Sequence, residues 1–396
     1  MRIAVVHDYF TQLGGAEKVA EELMRMLPQA TLHATVALPD RMPPGLTNLR
    51  VETSWMQQMP LMRKYYRLFF LLYPLAVRSL DLSPYDLIIS SSSGYAKGVQ
   101  ATRDAMHVCY CHTPMRWVWN FDTYSAREEM GLLKRLLLPA LVRGLRRWDE
   151  GASRQPDHFI ANSRSVAARI LQAYGRHAEI IHPPIDLDRF RASNEQEDYY
   201  LVLARLVSYK RIDLAVRACS RLGRRLLVIG EGPDLDRLKA TAGPTVEFLG
   251  RLTDSEVEHY ASRCRALLFP GEEDFGMAPL EIAAAGRPTI AYRAGGALET
   301  IVEGVTGLFF DRQEVEDLAN AIERFERMEW SRAALRRHAE GFSVDLFQSK
   351  MHAFLAHIGA PVEDAATLSN RASNKAAALV AARKKGLGVA GQGIPA

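Results

Sequence analysis

The chain has 396 residues, too many for one ordinary hydrophobic core, and its 48% hydrophobic and 24% charged residues are the balance of a folded globular protein. Fifty Lys and Arg against 46 Asp and Glu leave a formal charge of +4, far from the uniformly basic surface of a nucleic-acid binder. Nucleic acid is therefore not expected as a partner, whereas a local anionic one stays open.

In chain order, residues 1–8 reach charge too soon for a signal peptide. Residues 2–6 form a continuous apolar run, expected as a strand buried on both faces of a parallel sheet. A loop through Gly14-Gly15 follows, then a helix over 16–26 with Val19, Leu23 and Met26 at helical spacing. Further strands are predicted at 86–90, 107–111 and 158–162, each ending in polar residues. The longest apolar stretch, 68–77, holds Pro74 and falls short of the roughly 20 residues that span a bilayer. A second series starts near Tyr199, with strands at 200–204, 225–230, 246–249 and 266–269 and helices at 212–222, 235–241 and 254–264. Strands and helices alternating through short loops predict α/β architecture, doubly wound, in two tandem domains. The expected division is a first domain over 1–184, a polar linker over 185–198, a second domain over 199–342 and a last helix within 343–360. The remaining 361–396 hold ten Ala and four Gly and no apolar face, so they are expected as a flexible tail with at most a short helix at 374–385. Four cysteines without a C-x-x-C pair or zinc-type spacing give neither a disulfide framework nor a metal site, and point to a reducing compartment.

Ligands of open α/β sheets sit at the carboxyl ends of strands, and three loops there carry candidate chemistry. Gly14 and Gly15 let a ligand approach the backbone, and the helix start behind them favours an anion. The alternative is an ordinary strand-to-helix turn; neither the P-loop nor the dinucleotide glycine pattern is present. Arg205 and Lys210 follow the first strand of the second series, where a fork-shaped and a point cation suit a diphosphate. The alternative there is solvated surface. The segment 269–281, Phe-Pro-Gly-Glu-Glu-Asp-Phe-Gly-Met-Ala-Pro-Leu-Glu, runs from a strand through an acidic loop into a helix starting near Ala278. It puts Glu273 in the loop and Glu281 on the first helical turn, with the amides of Phe275, Gly276 and Met277 facing the same crevice. Carboxylates so placed accept hydrogen bonds from sugar hydroxyls; the bland alternative is an acidic loop capping a helix dipole.

The E-x7-E spacing with F-G-M-x-P-L-E inside it resembles the signature of the retaining family 4 glycosyltransferases, enzymes of the GT-B fold with two Rossmann-like domains. Gly14-Gly15, Arg205, Lys210, Gly230-Glu231-Gly232-Pro233, Gly250-Arg251 and Gly295-Gly296 agree in order and spacing, over roughly residues 1–358. The resemblance implies that Glu281 holds the donor ribose and Glu273 the donor-sugar hydroxyls. Arg205, Lys210 and the Gly15 amide would neutralise the leaving diphosphate. Gly230, Phe275 and Ala278 belong to the same donor site, backbone near Arg251 would face the base, and the amides of Gly276 and Met277 would meet the donor sugar. His112, opening His-Thr-Pro-Met-Arg-Trp-Val-Trp, would contact the transferred sugar; that run is similar to bacterial O-antigen and exopolysaccharide mannosyltransferases. The alternative for His112 is a structural histidine, and Trp117 and Trp119 either stack on a saccharide or pack in a core.

The implied reaction moves a hexose, first choice mannose from GDP-mannose and second choice a UDP-hexose, to a glycan acceptor. No D-x-D-like site ends a strand, so no metal or other cofactor is expected. Two other readings stand beside this one: a UDP-sugar 2-epimerase on the same fold, and an inactive glycan- or nucleotide-binding subunit. Residues 55–80 combine Arg63, Lys64, Arg67 and Arg78 with Met56, Met59, Met62, Tyr65, Tyr66, Phe69, Phe70 and Tyr73; Lys134, Arg135, Arg143, Arg146 and Arg147 flank Leu136–Leu138 and Leu141. Either these helices pack inward, or they meet an anionic membrane surface. A cytoplasmic protein, peripheral on the inner face of the cell membrane where a polyprenyl-diphosphate-linked acceptor would lie, is the expectation. The tail holds five basic and two acidic residues, hence three of the four net charges.

Overall fold

The computed structural model describes residues 1–119 and 132–362, so nearly all of the expected tail lies outside the described residues, as do the side chains of Arg67, Trp117, Lys134 and Arg135. Seven parallel strands make the first sheet: β1 Ile3–His7, β2 Thr31–Ala34, β3 Val51–Thr53, β4 Leu87–Ser92, β5 Met106–Cys111, β6 His158–Ala161 and β7 Glu179–Ile180. Six make the second: β8 Tyr200–Leu203, β9 Leu226–Ile229, β10 Val246–Gly250, β11 Leu267–Phe269, β12 Thr289–Tyr292 and β13 Gly307–Phe310. Their orders are β3-β2-β1-β4-β5-β6-β7 and β10-β9-β8-β11-β12-β13, and every pairing is parallel. Two Rossmann-like, doubly wound α/β domains result. The order reverses between β1 and β4 in the first sheet and between β8 and β11 in the second, and such reversals open the crevices where ligands bind.

Each strand run is apolar because helices cover both sheet faces. The five residues of β1 are all buried, and the helix Gly15–Met26 turns Val19, Leu23 and Met26 onto the same core. Asp8, directly after β1, is buried and accepts the backbone N–H groups of Ser93 at 2.6 Å, Tyr95 at 2.8 Å and Ala96 at 2.6 Å. One carboxylate thus ties the loops after β1 and β4 together at the reversal point. Beneath them Lys97 and Asp149 form an ion pair of 2.5 Å, and neither side chain is more than 1% exposed.

The segment 185–198, polar enough to read as a linker, is folded onto the second domain. The Ile185 amide donates to the Phe342 carbonyl at 2.8 Å, Phe190 is buried, and the Arg287 guanidinium binds the Ser193 and Glu195 carbonyls. The last helix, Val344–His357, is capped by Ser343 and crosses back to the first domain. Phe347, Met351 and Leu355, at i, i+4 and i+8, join the core beneath β1 and the helix Gly15–Met26, and Gln348 donates to Glu22 at 2.6 Å.

Candidate active site

The candidate residues come from loops at the carboxyl ends of β1, β5, β8, β9 and β11, so the two domains present them to one another. The loop after β8 is held in place by the loop after β9. The Leu206 amide donates to the Glu231 carbonyl at 2.9 Å, and Gly230, at φ +136°, lies where an added Cβ would come within 1.9 Å of the Ala204 carbonyl. From that platform Lys210 reaches Glu273 at 2.7 Å, joining residues from two separate loops. Both side chains are less than one-fifth exposed. The Glu273 loop is fixed by its own backbone: the Gly296 amide donates to the Glu273 carbonyl at 2.9 Å, and a Cβ on Gly296 would meet Phe275 Cα at 2.2 Å.

The helix Met277–Ala284 follows, entered through Gly276 at φ +84° and without a side-chain cap. Its first amides, of Met277 and Ala278, are the groups that an anion or a sugar oxygen can satisfy. Glu281 lies in the second turn rather than the first, because the helix starts at Met277 and Glu281 is its fifth residue. It is buried and faces the first domain, where Lys18 Nζ contacts its Oε1 at 2.6 Å. The Phe275 ring does not face the crevice; it stacks on His182 at 5.3 Å and an interplanar angle of 19°, leaving its amide as the group available to a ligand.

Further contacts cross between the domains. Arg205 reaches the Gln12 carboxamide, two residues before Gly14, which brings the cation to the uncapped start of the helix Gly15–Met26. Gly15 meets the second domain closely enough that a Cβ there would lie 2.8 Å from Met277 Sδ. Asp274 binds Arg116 at 2.8 Å and also Arg169, and its carbonyl accepts the Ser163 hydroxyl at 2.6 Å. Arg116 stands over the Tyr209 ring at 4.9 Å, and His182 Nε2 lies 3.0 Å from Glu299. Lys18, Arg116, Arg169 and Asp274 were not read from the sequence as site residues. Arg116 lies inside the His-Thr-Pro-Met-Arg-Trp run and Lys18 in the first helical turn after Gly14-Gly15, so both had a signal; Arg169, on an ordinary helix, had none.

His112 is buried and its Nε2 lies 2.8 Å from Ser91 Oγ. Burial, with a smaller contribution from His7, pushes its pKa down to about 3, so the ring is neutral at pH 7. Its neighbour Thr113 accepts from Arg169 at 3.2 Å, which links the His112 loop to the Asp274 clamp. Trp119 packs in the domain: its indole N–H donates to Asp149 at 2.8 Å and Arg146 covers its ring at 4.2 Å. Arg251 is exposed after β10, and none of the hydrogen bonds among the described candidate residues reaches it. Among the described residues no group of three or more His, Cys, Asp or Glu side chains is placed to hold a metal ion. A cavity lined by Arg224, Arg225, Thr245 and Arg265 opens at the opposite, amino-terminal ends of the second-domain strands, away from all these groups.

Asp274 gives the clamp a pH signature. Burial works to raise its pKa, but Arg116 and Arg169 more than offset that and hold the carboxyl below the usual range. Its stabilising contribution is therefore complete above the unfolded value of about 4 and is lost as pH falls through the lower folded value. Asp274→Asn should cost about 2 kcal/mol at pH 7, between the surface and fully buried limits for an ion pair. The difference between wild type and variant should shrink below pH 4 in urea titrations. A difference constant from pH 7 to pH 3 would show that the carboxylate charge is not what joins the domains.

Two family models match the chain: one described as Glycosyltransferase Family 4 over residues 13–189, and one described as Glycosyl transferases group 1 over residues 185–342. The chain is 28% identical over 259 residues to a D-inositol 3-phosphate glycosyltransferase of Geodermatophilus obscurus, covering 57% of each. It is 29% identical over 218 residues to a GDP-mannose-dependent α-(1-6)-phosphatidylinositol monomannoside mannosyltransferase of Mycolicibacterium smegmatis, covering 47% of this chain and 56% of that one. The chain thus spans a little over half the length of these curated relatives. Among solved structures, Anabaena Alr3699/HepE in complex with UDP superimposes with a TM-score of 0.64 at 18% identity, over 90% of this chain and 100% of that one.

Proposed function

Because the chain belongs to the family 4 glycosyltransferases with the GT-B fold, we propose that its interdomain crevice binds a nucleoside diphosphate sugar and transfers the hexose to an acceptor hydroxyl with retention of anomeric configuration. One observation carries the reading. Lys210 and Glu273 meet at 2.7 Å beside an uncapped helix start, while Arg205, from the same loop as Lys210, reaches across the crevice to Gln12 beside the Gly15 turn. Cations and amides suited to a diphosphate thereby share one space with carboxylates suited to sugar hydroxyls.

The roles follow from charge. Arg205, Lys210 and the Gly15 amide stabilise the departing diphosphate, the main energetic task of the transfer. Glu273 accepts from donor-sugar hydroxyls, Glu281 from the ribose, and His112 meets the transferred sugar. Contacts between Lys18 and Glu281 and between Arg116 and Asp274 close the domains over the donor and exclude water, which limits hydrolysis. With two cations at the diphosphate, transfer should persist in EDTA.

The donor is proposed as GDP-mannose. The His112–Trp119 run and a relative whose name specifies GDP-mannose support it; a UDP-hexose is the second choice, supported by the neighbour solved with UDP. Calorimetry with both nucleotide-sugar classes, followed by mass spectrometry of products, tests the reading. GDP-mannose should bind and add one hexose to a glycan acceptor. Release of a free or epimerised sugar without an acceptor would favour an epimerase, and binding without product an inactive subunit.

The acceptor is proposed as a lipid-linked glycan of bacterial polysaccharide synthesis, reached at the inner face of the cell membrane. Residues 55–78 support this. Met56, Met62 and Tyr73 are buried, but Trp55, Leu61, Leu68, Leu71 and Leu75 stand 42–70% exposed beside Arg63 and Lys64. Exposed apolar side chains with adjacent cations are what an anionic interface takes up. No described helix is long and apolar enough to cross a membrane. The protein should sediment with phosphatidylglycerol vesicles and lose at least tenfold in binding with Leu68→Glu and Leu75→Glu together. Absence of binding by the unaltered protein would remove the membrane part of the proposal.

A further inference from the structure

Behind His112 runs a buried chain of polar side chains from four different segments. Ser91 Oγ, on β4, lies 2.8 Å from His112 Nε2 and 3.1 Å from Nδ1 of His7, the last residue of β1. His7 Nε2 lies 3.8 Å from Oε1 of Glu17, on the helix Gly15–Met26. None of the four residues is more than 7% exposed. His112 Nδ1 makes no hydrogen bond among the described residues and, unlike His107 Nδ1, is not sealed away from solvent.

A serine hydroxyl carries one proton, so Ser91 donates to one imidazole and accepts from the other. Two arrangements satisfy that rule, and they leave opposite tautomers at His112. Asp274, the other carboxylate that acts on His112, is already paired with Arg116 and Arg169, so Glu17 decides between them. At 3.8 Å it is too far for a hydrogen bond, but in buried surroundings a carboxylate attracts an N–H and repels a lone pair strongly. We infer that Glu17 holds His7 with its proton on Nε2, that His7 Nδ1 accepts the Ser91 hydroxyl, and that Ser91 accepts the His112 Nε2 proton, leaving the His112 Nδ1 lone pair as an acceptor at the crevice. Glu17, His7 and Ser91 are then positioning residues: they make His112 a partner for a substrate hydroxyl and prevent it from donating. The burial that keeps His112 neutral keeps that lone pair available at physiological pH.

That a sugar hydroxyl is the partner rests on the proposed function; the tautomer does not, and it is measured without substrate. The protein is labelled with 15N-histidine, and long-range 1H–15N correlation at pH 7 reads both ring nitrogens. His112 is assigned by the signal lost in His112→Gln. The expected spectrum shows a single Nε2–H tautomer for His112, and Glu17→Gln should abolish that single state. An Nδ1–H or mixed tautomer in the unaltered protein would overturn the inference. So would an unchanged His112 signal in Glu17→Gln. Should that variant not fold, the unaltered protein still decides the question. Failure of sugar transfer would appear separately, as absent product with the tautomer intact.

Discussion

Lys210→Ala should lower kcat for sugar transfer by about 10²–10³-fold, the usual cost of removing one preorganised group that stabilises charge in a transition state. Its ammonium lies within a hydrogen bond of Glu273, and Gly271 leaves room for its backbone: a Cβ there would come within 2.7 Å of Lys210 Cα. The cation is therefore placed before any donor arrives and needs no reorganisation during the reaction. Negative charge grows on the diphosphate as the glycosidic bond breaks, so the lost interaction should appear in kcat more than in KM. Arg205, which is exposed and among the described residues is anchored by its side chain through Gln12, should not compensate. Stability should fall by about 1–2 kcal/mol, because the Lys210–Glu273 pair, like the Asp274 clamp, lies between the surface and fully buried limits. A variant with more than half the normal kcat would remove Lys210 from the chemistry.

Lys97→Met is expected to destabilise the first domain by about 3–5 kcal/mol, the cost of leaving one member of a buried ion pair without its partner. Asp149 would keep the Trp119 indole N–H at 2.8 Å and the Tyr174 hydroxyl at 2.7 Å, but no counter-charge. Burial alone would drive the Lys97 proton off; Asp149 more than offsets this and raises the Lys97 pKa. The pair also bridges the loop after β4 to the helix Leu132–Ala152 and, through Trp119, to the segment after His112. Activity should therefore fall together with stability. Urea unfolding followed by first-domain tryptophan fluorescence measures the effect. A loss under about 1 kcal/mol would mean that two neutral donors suffice to hold a buried carboxylate.

The sequence was legible where one segment carries its own signal. The strands β1, β4, β5, β6, β8, β9, β10 and β11 read as short apolar runs, and the helix Val344–His357 lies where it was expected. The strands β2, β3 and β7 were not read, because two to four residues of mixed polarity do not distinguish a strand from a loop, whereas β12 and β13 are largely apolar and carry the same kind of signal as β8 and β9. Glu273 and Lys210 stand out in the sequence because both follow strand ends, and the fold brings them together. What no single segment encodes is which side chains cross between domains. Lys18 meets Glu281 across 263 residues of sequence and Arg169 meets Asp274 across 105. Such pairs come from the relative placement of two sheets, and that placement has no local pattern. The glycines lie between these cases: Gly230 and Gly296 were read as a motif, and the close backbone approaches that require them appear only in the folded chain.

A nucleoside diphosphate should lie between the Gly15 turn and the cations after β8, and titrating GDP-mannose and GDP into the unaltered protein and into Arg205→Ala/Lys210→Ala measures this. The unaltered protein should bind both with a Kd between about 1 μM and 1 mM, the span of typical enzyme–substrate concentrations. The double variant should bind each at least tenfold more weakly while keeping its fold. Equal affinity in the two proteins would mean that the diphosphate lies somewhere other than this crevice.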